Sequence, residues 1–138
     1  MIIVDTNVVS EPLKPRPEPA VIDWLDRQAP QTLHITTINL AELLAGIEAL
    51  PSGRRRVELH QAFVQQVMPL WEGRILPFDT SAAESFAKIN TQAQAAGTPI
   101  SFADAAIAAI ASANGFAVAT RNVRDFKGCG VGVINPWG

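Results

Sequence analysis

The first ten residues, MIIVDTNVVS (residues 1–10), place an apolar run directly before an aspartate. Ile2, Ile3 and Val4 carry the β-branched side chains that favour a strand buried on both faces of a sheet. A carboxylate at the end of such a strand costs several kcal/mol unless it is paired, hydrogen-bonded or bound to a metal ion. The stretch therefore predicts a buried first strand and directs attention to what Asp5 binds.

Composition limits the class of protein. The 138 residues are 48% hydrophobic and 17% charged, which is typical of one compact domain, so we expect a single domain over residues 1–138. No apolar run reaches the roughly 20 residues of a membrane span, and the start lacks the pattern of a signal peptide. We therefore expect a cytosolic protein without a membrane partner. The single cysteine, Cys129, excludes an internal disulfide and a cysteine-based metal site.

Charge gives no general attraction to nucleic acid, because the net charge is −2. Any such binding must rest on local basic patches. Basic residues are grouped at 54–56 and again near the end, at Arg121, Arg124 and Lys127. A run of arginines is more often a solvated helix face than a binding site, and we interpret 54–56 in this way.

Strand-like and helical patterns alternate along the chain. The strand-like runs are IIVD, LHITTI, RILPF, FAVATR and VGVIN, and the helical segments include LAELLAGIEAL and SFADAAIAAIASANG. This alternation predicts an α/β fold, with a central parallel sheet flanked by helices on both faces in three layers. The prolines at 14–19 predict an extended loop. Pro51-Ser52-Gly53 predicts a break between two helices that form a hairpin.

Several carboxylates fall near the ends of predicted strands, where ligands bind in parallel α/β sheets. These residues are Asp5, Glu42, Asp79, Asp104 and Asp125, with Asn122 beside the last. Two carboxylates about 4 Å apart repel by roughly 4 kcal/mol at an effective dielectric of about 20, so such a group needs a cation. Oxygen donors without histidine or cysteine favour Mg²⁺ or Mn²⁺ over zinc.

Helix capping is the competing interpretation of some of these acids. The sequences NLAE at 39–42, SAAE at 81–84 and SFAD at 101–104 all place an acid three residues after a capping residue. Because all three fit equally well, the spacing does not separate a site residue from a cap. Both interpretations stay open for Glu42 and Asp104.

Four segments in order resemble a known family. VDTNVVSE, TTINLAELLAGIEALPSGRRR, ISFADAAIAAIA and VATRNVRDF are similar in order and spacing to PIN-domain ribonucleases, in particular the VapC and FitB-like toxins of bacterial toxin–antitoxin pairs. The resemblance covers nearly the whole chain and implies that Asp5, Glu42 and Asp104 bind Mg²⁺ or Mn²⁺. It also implies hydrolysis of RNA by attack of water, leaving 5′-phosphate and 3′-hydroxyl ends.

The fourth acidic position has two candidates. Many family members carry an aspartate where this chain has Asn122, and Asp125 follows three residues later. Asp125 also fits a helix cap or a pair with a neighbouring arginine. Other residues are candidates for supporting the acids or for holding RNA phosphates: Thr6, Thr120, Arg121, Arg124 and Lys127. His34 and His60 are expected to be structural or surface residues.

The resemblance implies partners as well. It implies a small antitoxin, itself able to bind DNA, that covers the helical hairpin around residues 39–70, and it implies a homodimer. The apolar residues expected to provide the contact area are Leu40, Leu43, Leu44 and Ile47.

Two other functional classes compete with the ribonuclease. A non-enzymatic interaction module would use the same acids as helix caps. An aspartyl-phosphate hydrolase also follows its first strand with an aspartate, but Asn7 stands where that motif needs a second one. The module is the better alternative.

Overall fold

Five parallel strands form the central sheet of the computed structural model, which describes residues 1–138. They are β1 (Ile2–Val4), β2 (Leu33–Thr36), β3 (Ile75–Leu76), β4 (Ala117–Ala119) and β5 (Val133–Ile134). Their spatial order is β3-β2-β1-β4-β5, and every pairing is parallel. The first strand of the chain is therefore the central strand, and the predicted parallel sheet is confirmed.

The short strand β1 contributes to two cores at once. Ile2 pairs with Leu33 of β2 on one side, and Val4 pairs with Ala119 of β4 on the other. Because successive side chains point to opposite faces, Ile3 and Val4 enter different hydrophobic clusters. Both are fully buried, which accounts for the unbroken apolar run at the start of the chain.

Seven helices surround the sheet. They are α1 (Thr6–Ser10), α2 (Pro19–Asp26), α3 (Thr37–Glu48), α4 (Arg54–Ala62), α5 (Thr80–Ala95), α6 (Phe102–Asn114) and α7 (Val123–Phe126). Residues of α5 and α6 cover the Ile3 face, while α1 and α2 cover the Val4 face. The predicted three-layer arrangement is confirmed. None of the helices combines the length and apolarity that crossing a lipid bilayer requires.

Helix α6 lies inside the protein along most of its length. Seven consecutive residues at 105–111, AAIAAIA, are fully buried. Alanine is a strong helix former, and its small side chain lets α6 lie close to the sheet and to α5 together. The helix ends at Gly115, whose φ of +71° is a left-handed conformation that a residue without Cβ adopts at little cost.

The order of the strands reverses next to β1. The chain adds β2 and β3 on one side of β1 and then returns to add β4 and β5 on the other side. The carboxyl ends of β1 and β4 border the crevice in which such sheets bind ligands. Asp5 directly follows β1, and Thr120 directly follows β4.

Two of the predicted helix caps were wrong. Thr36 caps α3 and forms a capping box with Asn39, which was predicted to be the cap itself. Asp79, and not Ser81, caps α5. In both cases the last extended residue before the helix supplies the capping oxygen, so the helix begins earlier than the spacing to an acid suggested. Helix α1, capped by Asp5, was not predicted.

Phe126 gives a test of the core. It is fully buried in α7, whereas Phe102 of α6 is 63% exposed. Phe126→Ala should lower the free energy of unfolding by about 3–5 kcal/mol, because it leaves a cavity in a packed core. Phe102→Ala should cost much less. Urea denaturation followed by circular dichroism measures both, and equal losses would contradict this packing.

Candidate active site

Asp5 is held at the end of β1 by three hydrogen bonds. The backbone N–H of Thr6 donates to Oδ1 at 2.8 Å, Nδ2 of Asn39 donates to the same oxygen at 3.3 Å, and Oγ1 of Thr120 donates to Oδ2 at 2.8 Å. The donors come from α1, from α3 and from the end of β4. These bonds satisfy a buried carboxylate and fix its orientation where the three segments meet.

Asn39 is a supporting residue that the sequence reasoning missed. It is fully buried in the first turn of α3, and its Oδ1 accepts hydrogen bonds from the backbone N–H and the hydroxyl of Thr36. With the oxygen occupied in this way, Nδ2 is directed toward Asp5 and the hydroxyl of Thr6. The available signal was a polar residue on the buried side of an apolar helix. Because the spacing from Asn39 to Glu42 also fits a helix cap, Asn39 was interpreted as a cap.

Glu42 is linked to Asp5 through Thr6. The hydroxyl of Thr6 donates to Oε1 of Glu42 at 2.8 Å and accepts from Nδ2 of Asn39 at 3.1 Å. Glu42 itself is exposed. Because Thr36 and Asn39 already cap α3, capping does not explain Glu42. Thr6 therefore connects two of the predicted site acids, because its backbone N–H donates to Asp5 and its hydroxyl donates to Glu42.

Asp104 lies in the first turn of α6, near enough to the other acids to feel their charges. Ser101 caps the helix, as predicted, by accepting the backbone N–H of Asp104 at 3.2 Å. Burial and then the negative charge of Asp5 raise the pKa of Asp104 from 3.8 to about 6, with smaller contributions from Asp125 and Glu42. A hydrogen bond with Ser101 opposes this increase. The four acids therefore share one electrostatic environment.

Helix α7 brings Asp125 toward Asp104. Neither alternative role predicted for Asp125 is observed: α7 has no side-chain cap, and both ion pairs of the structure lie elsewhere. The backbone N–H of Asn122 donates to the hydroxyl of Thr120, but no carboxylate contact of the Asn122 side chain is found. Of the two candidates for the fourth acidic position, the geometry favours Asp125.

Arg121 is held at the border of this crevice. Its guanidinium lies over the ring of Trp137, 5.4 Å from the centroid, and its charge contributes to lowering the pKa of Glu11. The largest cause of that lowered pKa is the hydrogen bond from Lys14 to Glu11. Arg121 is thus fixed by an aromatic contact, which leaves its N–H groups available to a phosphate.

The two histidines lie outside the acidic group. His34 of β2 packs against Phe116 with ring centroids 4.9 Å apart, and burial lowers its pKa. His60 is exposed on α4. These positions agree with the structural and surface roles expected for them.

The acids suit a hard cation, although the structure does not bring three of them into one ligand shell. No group of three histidine, cysteine, aspartate or glutamate side chains lies close enough together to hold a metal ion. The available donors are all carboxylate oxygens, and burial together with repulsion from the other acids raises the pKa of Asp104. Such a donor set matches the chemistry of Mg²⁺ or Mn²⁺.

Comparison with known proteins identifies the family of this chain. The model of the PIN domain family matches residues 2–128. The chain belongs to the PIN domain family. This PIN domain is 45% identical over 137 residues to plasmid stability protein StbB of Pseudomonas syringae pv. tomato, covering 99% of each chain. It is 44% identical to VapC ribonuclease Y4jK of Sinorhizobium fredii, covering 99% of this chain and 98% of the relative.

Two further comparisons concern the Fit proteins. Toxin FitB of Neisseria gonorrhoeae is 42% identical over 137 residues, and the match covers 99% of both chains. The solved structure of FitAB bound to an IR36 DNA fragment matches the PIN domain with a TM-score of 0.94 at 40% identity. That match covers 100% of this chain and 96% of the other. The resemblance inferred from the four sequence segments is confirmed.

The titration of Asp104 is the first test of the site. Carboxyl resonances in NMR spectra should show a pKa near 6 for Asp104 in place of 3.8. Since the folded chain holds this proton more tightly than the unfolded chain, the contribution of Asp104 to stability falls as pH rises between these two values. Asp104→Asn should therefore gain stability relative to the wild type across this window.

The same titration distinguishes Asp125 from Asn122. Asp125→Asn removes a negative charge and should lower the pKa of Asp104, whereas Asn122→Asp adds one and should raise it if the position faces the acids. A pKa of Asp104 that stays constant in both variants would place both residues outside the site.

Proposed function

We propose that this PIN domain is a metal-dependent endoribonuclease and the toxin of a bacterial toxin–antitoxin pair. Four carboxylates at the switch point of the sheet support the proposal, because burial and then the charges of the other three raise the pKa of Asp104. The relationship to a VapC ribonuclease, at 44% identity along nearly the whole chain, supports the same activity. The non-enzymatic alternative, in which the acids are helix caps, does not account for Glu42.

Asp5, Glu42 and Asp104 would hold Mg²⁺ or Mn²⁺, with Asp125 as the fourth acid. Such an ion, when bound, acidifies a water molecule and neutralises charge on the scissile phosphate. The chain contributes orientation: Thr120 and Asn39 fix the two oxygens of Asp5, and Thr6 fixes Oε1 of Glu42. Hydrogen-bond donors of this kind keep the metal-binding oxygens in the geometry that metal binding needs.

Asp104 couples the site to pH. With a pKa raised to about 6, this carboxyl keeps its proton to a higher pH in the metal-free protein than an ordinary aspartate does. A divalent cation binds the ionised form, so cation binding releases a proton and strengthens as pH rises through this value. An Asp104 carboxylate that has given up its proton is also able to orient or deprotonate an attacking water.

Basic residues beside the acids would hold the RNA strand. Arg121 is positioned by Trp137. Arg124 belongs to α7 and Lys127 directly follows it, and neither has an acidic partner within ion-pair distance. Phosphate contacts of this kind position a nucleic acid without reading its sequence. They explain how a protein of net charge −2 binds RNA locally.

The α3–α4 hairpin is the surface we assign to an antitoxin. Leu40, Leu43, Leu44 and Ile47 are partly exposed and belong to neither hydrophobic core. On α4, Val57 and Leu59 are 52% and 39% exposed. Exposed apolar residues at this density mark a protein interface. The FitAB complex with DNA supports an antitoxin that also binds DNA, and the homodimer stays a prediction.

Asp104→Asn tests the ribonuclease directly. The substitution preserves volume but removes the charge, so RNA cleavage should fall by about a hundredfold or more and Mn²⁺ binding should weaken. Glu84→Gln is the matched control, because Glu84 stands in a similar sequence, SAAE, on α5 but is not among the charges that raise the pKa of Asp104. Cleavage assays and calorimetric Mn²⁺ titration measure both variants. Full cleavage by Asp104→Asn at saturating Mn²⁺ would refute the assignment.

The antitoxin surface is tested by coexpression in bacteria. The double variant Val57→Glu/Leu59→Glu should remain toxic when the small protein encoded beside it is coexpressed, because charges on α4 oppose an apolar interface. Leu13→Glu, at a site 62% exposed outside the hairpin, should still be neutralised. Neutralisation of the double variant would move the antitoxin interface elsewhere.

A further inference from the structure

A cavity of about 610 Å³ adjoins the acidic group, and most of its wall has no role in the proposed chemistry. It lies between the C-terminal half of α5, the 98–101 segment, the start of α6 and residues 124–129. Asp104 and Asp125 belong to this wall and to the acidic group. A molecule in the cavity therefore lies directly beside the reacting centre.

The wall of the cavity combines apolar and hydrogen-bonding surfaces. Ile89, Ala93 and Ala96 supply an apolar strip along α5. Gln92 and Thr98 supply polar groups next to that strip, able both to donate and to accept hydrogen bonds. A flat ring with apolar faces and polar edges fits this combination, and nucleobases are rings of this kind.

Two cations complete the wall. Arg124 and Lys127 both line the cavity, and neither forms an ion pair, since the two ion pairs of the structure are Lys14–Glu11 and Arg54–Glu58. Their charges are therefore free to bind an anionic group. One ligand that combines a ring with an anionic group is a nucleotide.

We propose that this cavity binds one unpaired nucleotide of the RNA, next to the bond that is cleaved. Its base lies against the α5 strip, and its phosphate lies at Arg124 and Lys127. The inference rests on the proposed ribonuclease function. A base in this cavity has left its stack, so the substrate is a single-stranded segment and the cavity contributes to the choice of cleavage site.

Filling the cavity tests the proposal. Ala96→Trp places a large ring at a cavity position, and Ala95→Trp places the same ring at the neighbouring exposed position outside the cavity. Ala96→Trp should raise KM for a single-stranded RNA about tenfold, as expected for loss of one stacked base. It should also change the cleavage sites found by sequencing RNA ends, while Mn²⁺ affinity stays unchanged. Ala95→Trp should match the wild type.

A binding measurement separates this proposal from the ribonuclease activity. Each of the four nucleoside monophosphates, and inorganic phosphate as a control, is titrated into the wild-type chain and followed by NMR. At least one nucleotide should shift the amide signals of Ala93, Ala96 and Thr98 at lower concentration than inorganic phosphate does. Equal responses to phosphate and to every nucleotide would overturn base binding.

The two proposals fail in different ways. If the wild type cleaves RNA and Ala96→Trp cleaves the same sites with the same KM, the nucleotide site is wrong and the ribonuclease stands. If the wild type cleaves no RNA with Mn²⁺, the ribonuclease is wrong. The nucleotide titration then still decides whether the cavity binds a base.

Discussion

The hydrogen bond from Thr120 to Asp5 joins the ends of the two central strands, and the arrangement of the site depends on it. It spans 2.8 Å between residues 115 positions apart in the chain. Strands β1 and β4 pair over Val4 and Ala119, so the two residues that follow them are brought together by the sheet itself. Asn39 and Thr6 then tie α3 and α1 to the same carboxylate. A buried charge is in this way satisfied by the segments that it holds together.

The fold keeps like charges near one another at a cost to its own stability. Asp104 shows this cost, because its raised pKa arises from burial and from the neighbouring acids. No lysine or arginine pairs with the group. Proteins tolerate such unfavourable arrangements mainly at functional sites, where a bound ligand relieves them. The electrostatics thus mark this region of the molecule as the candidate functional site.

The sequence was most informative where one physical requirement dominated. The apolar run before Asp5 and the alanine-rich pattern of α6 follow from complete burial, and both predicted elements are confirmed. Caps were less predictable, because Ser, Asn or Thr three residues before an acid occurs at site and non-site helices alike. Asn39 and the cavity beside α5 depend on contacts between distant segments. Local patterns do not encode such contacts.

The buried row of α6 has a consequence for genetic variation in this chain. Residues 105–111 are fully buried, and the helix that they form carries Asp104 in its first turn. A larger side chain anywhere in the row displaces the helix and, with it, a carboxylate several residues away. Selection for cells that escape a toxic activity would therefore recover substitutions of these buried residues as well as changes to the acids. The positions that do not tolerate mutation would then include buried residues of α6 that lie far from the reacting groups.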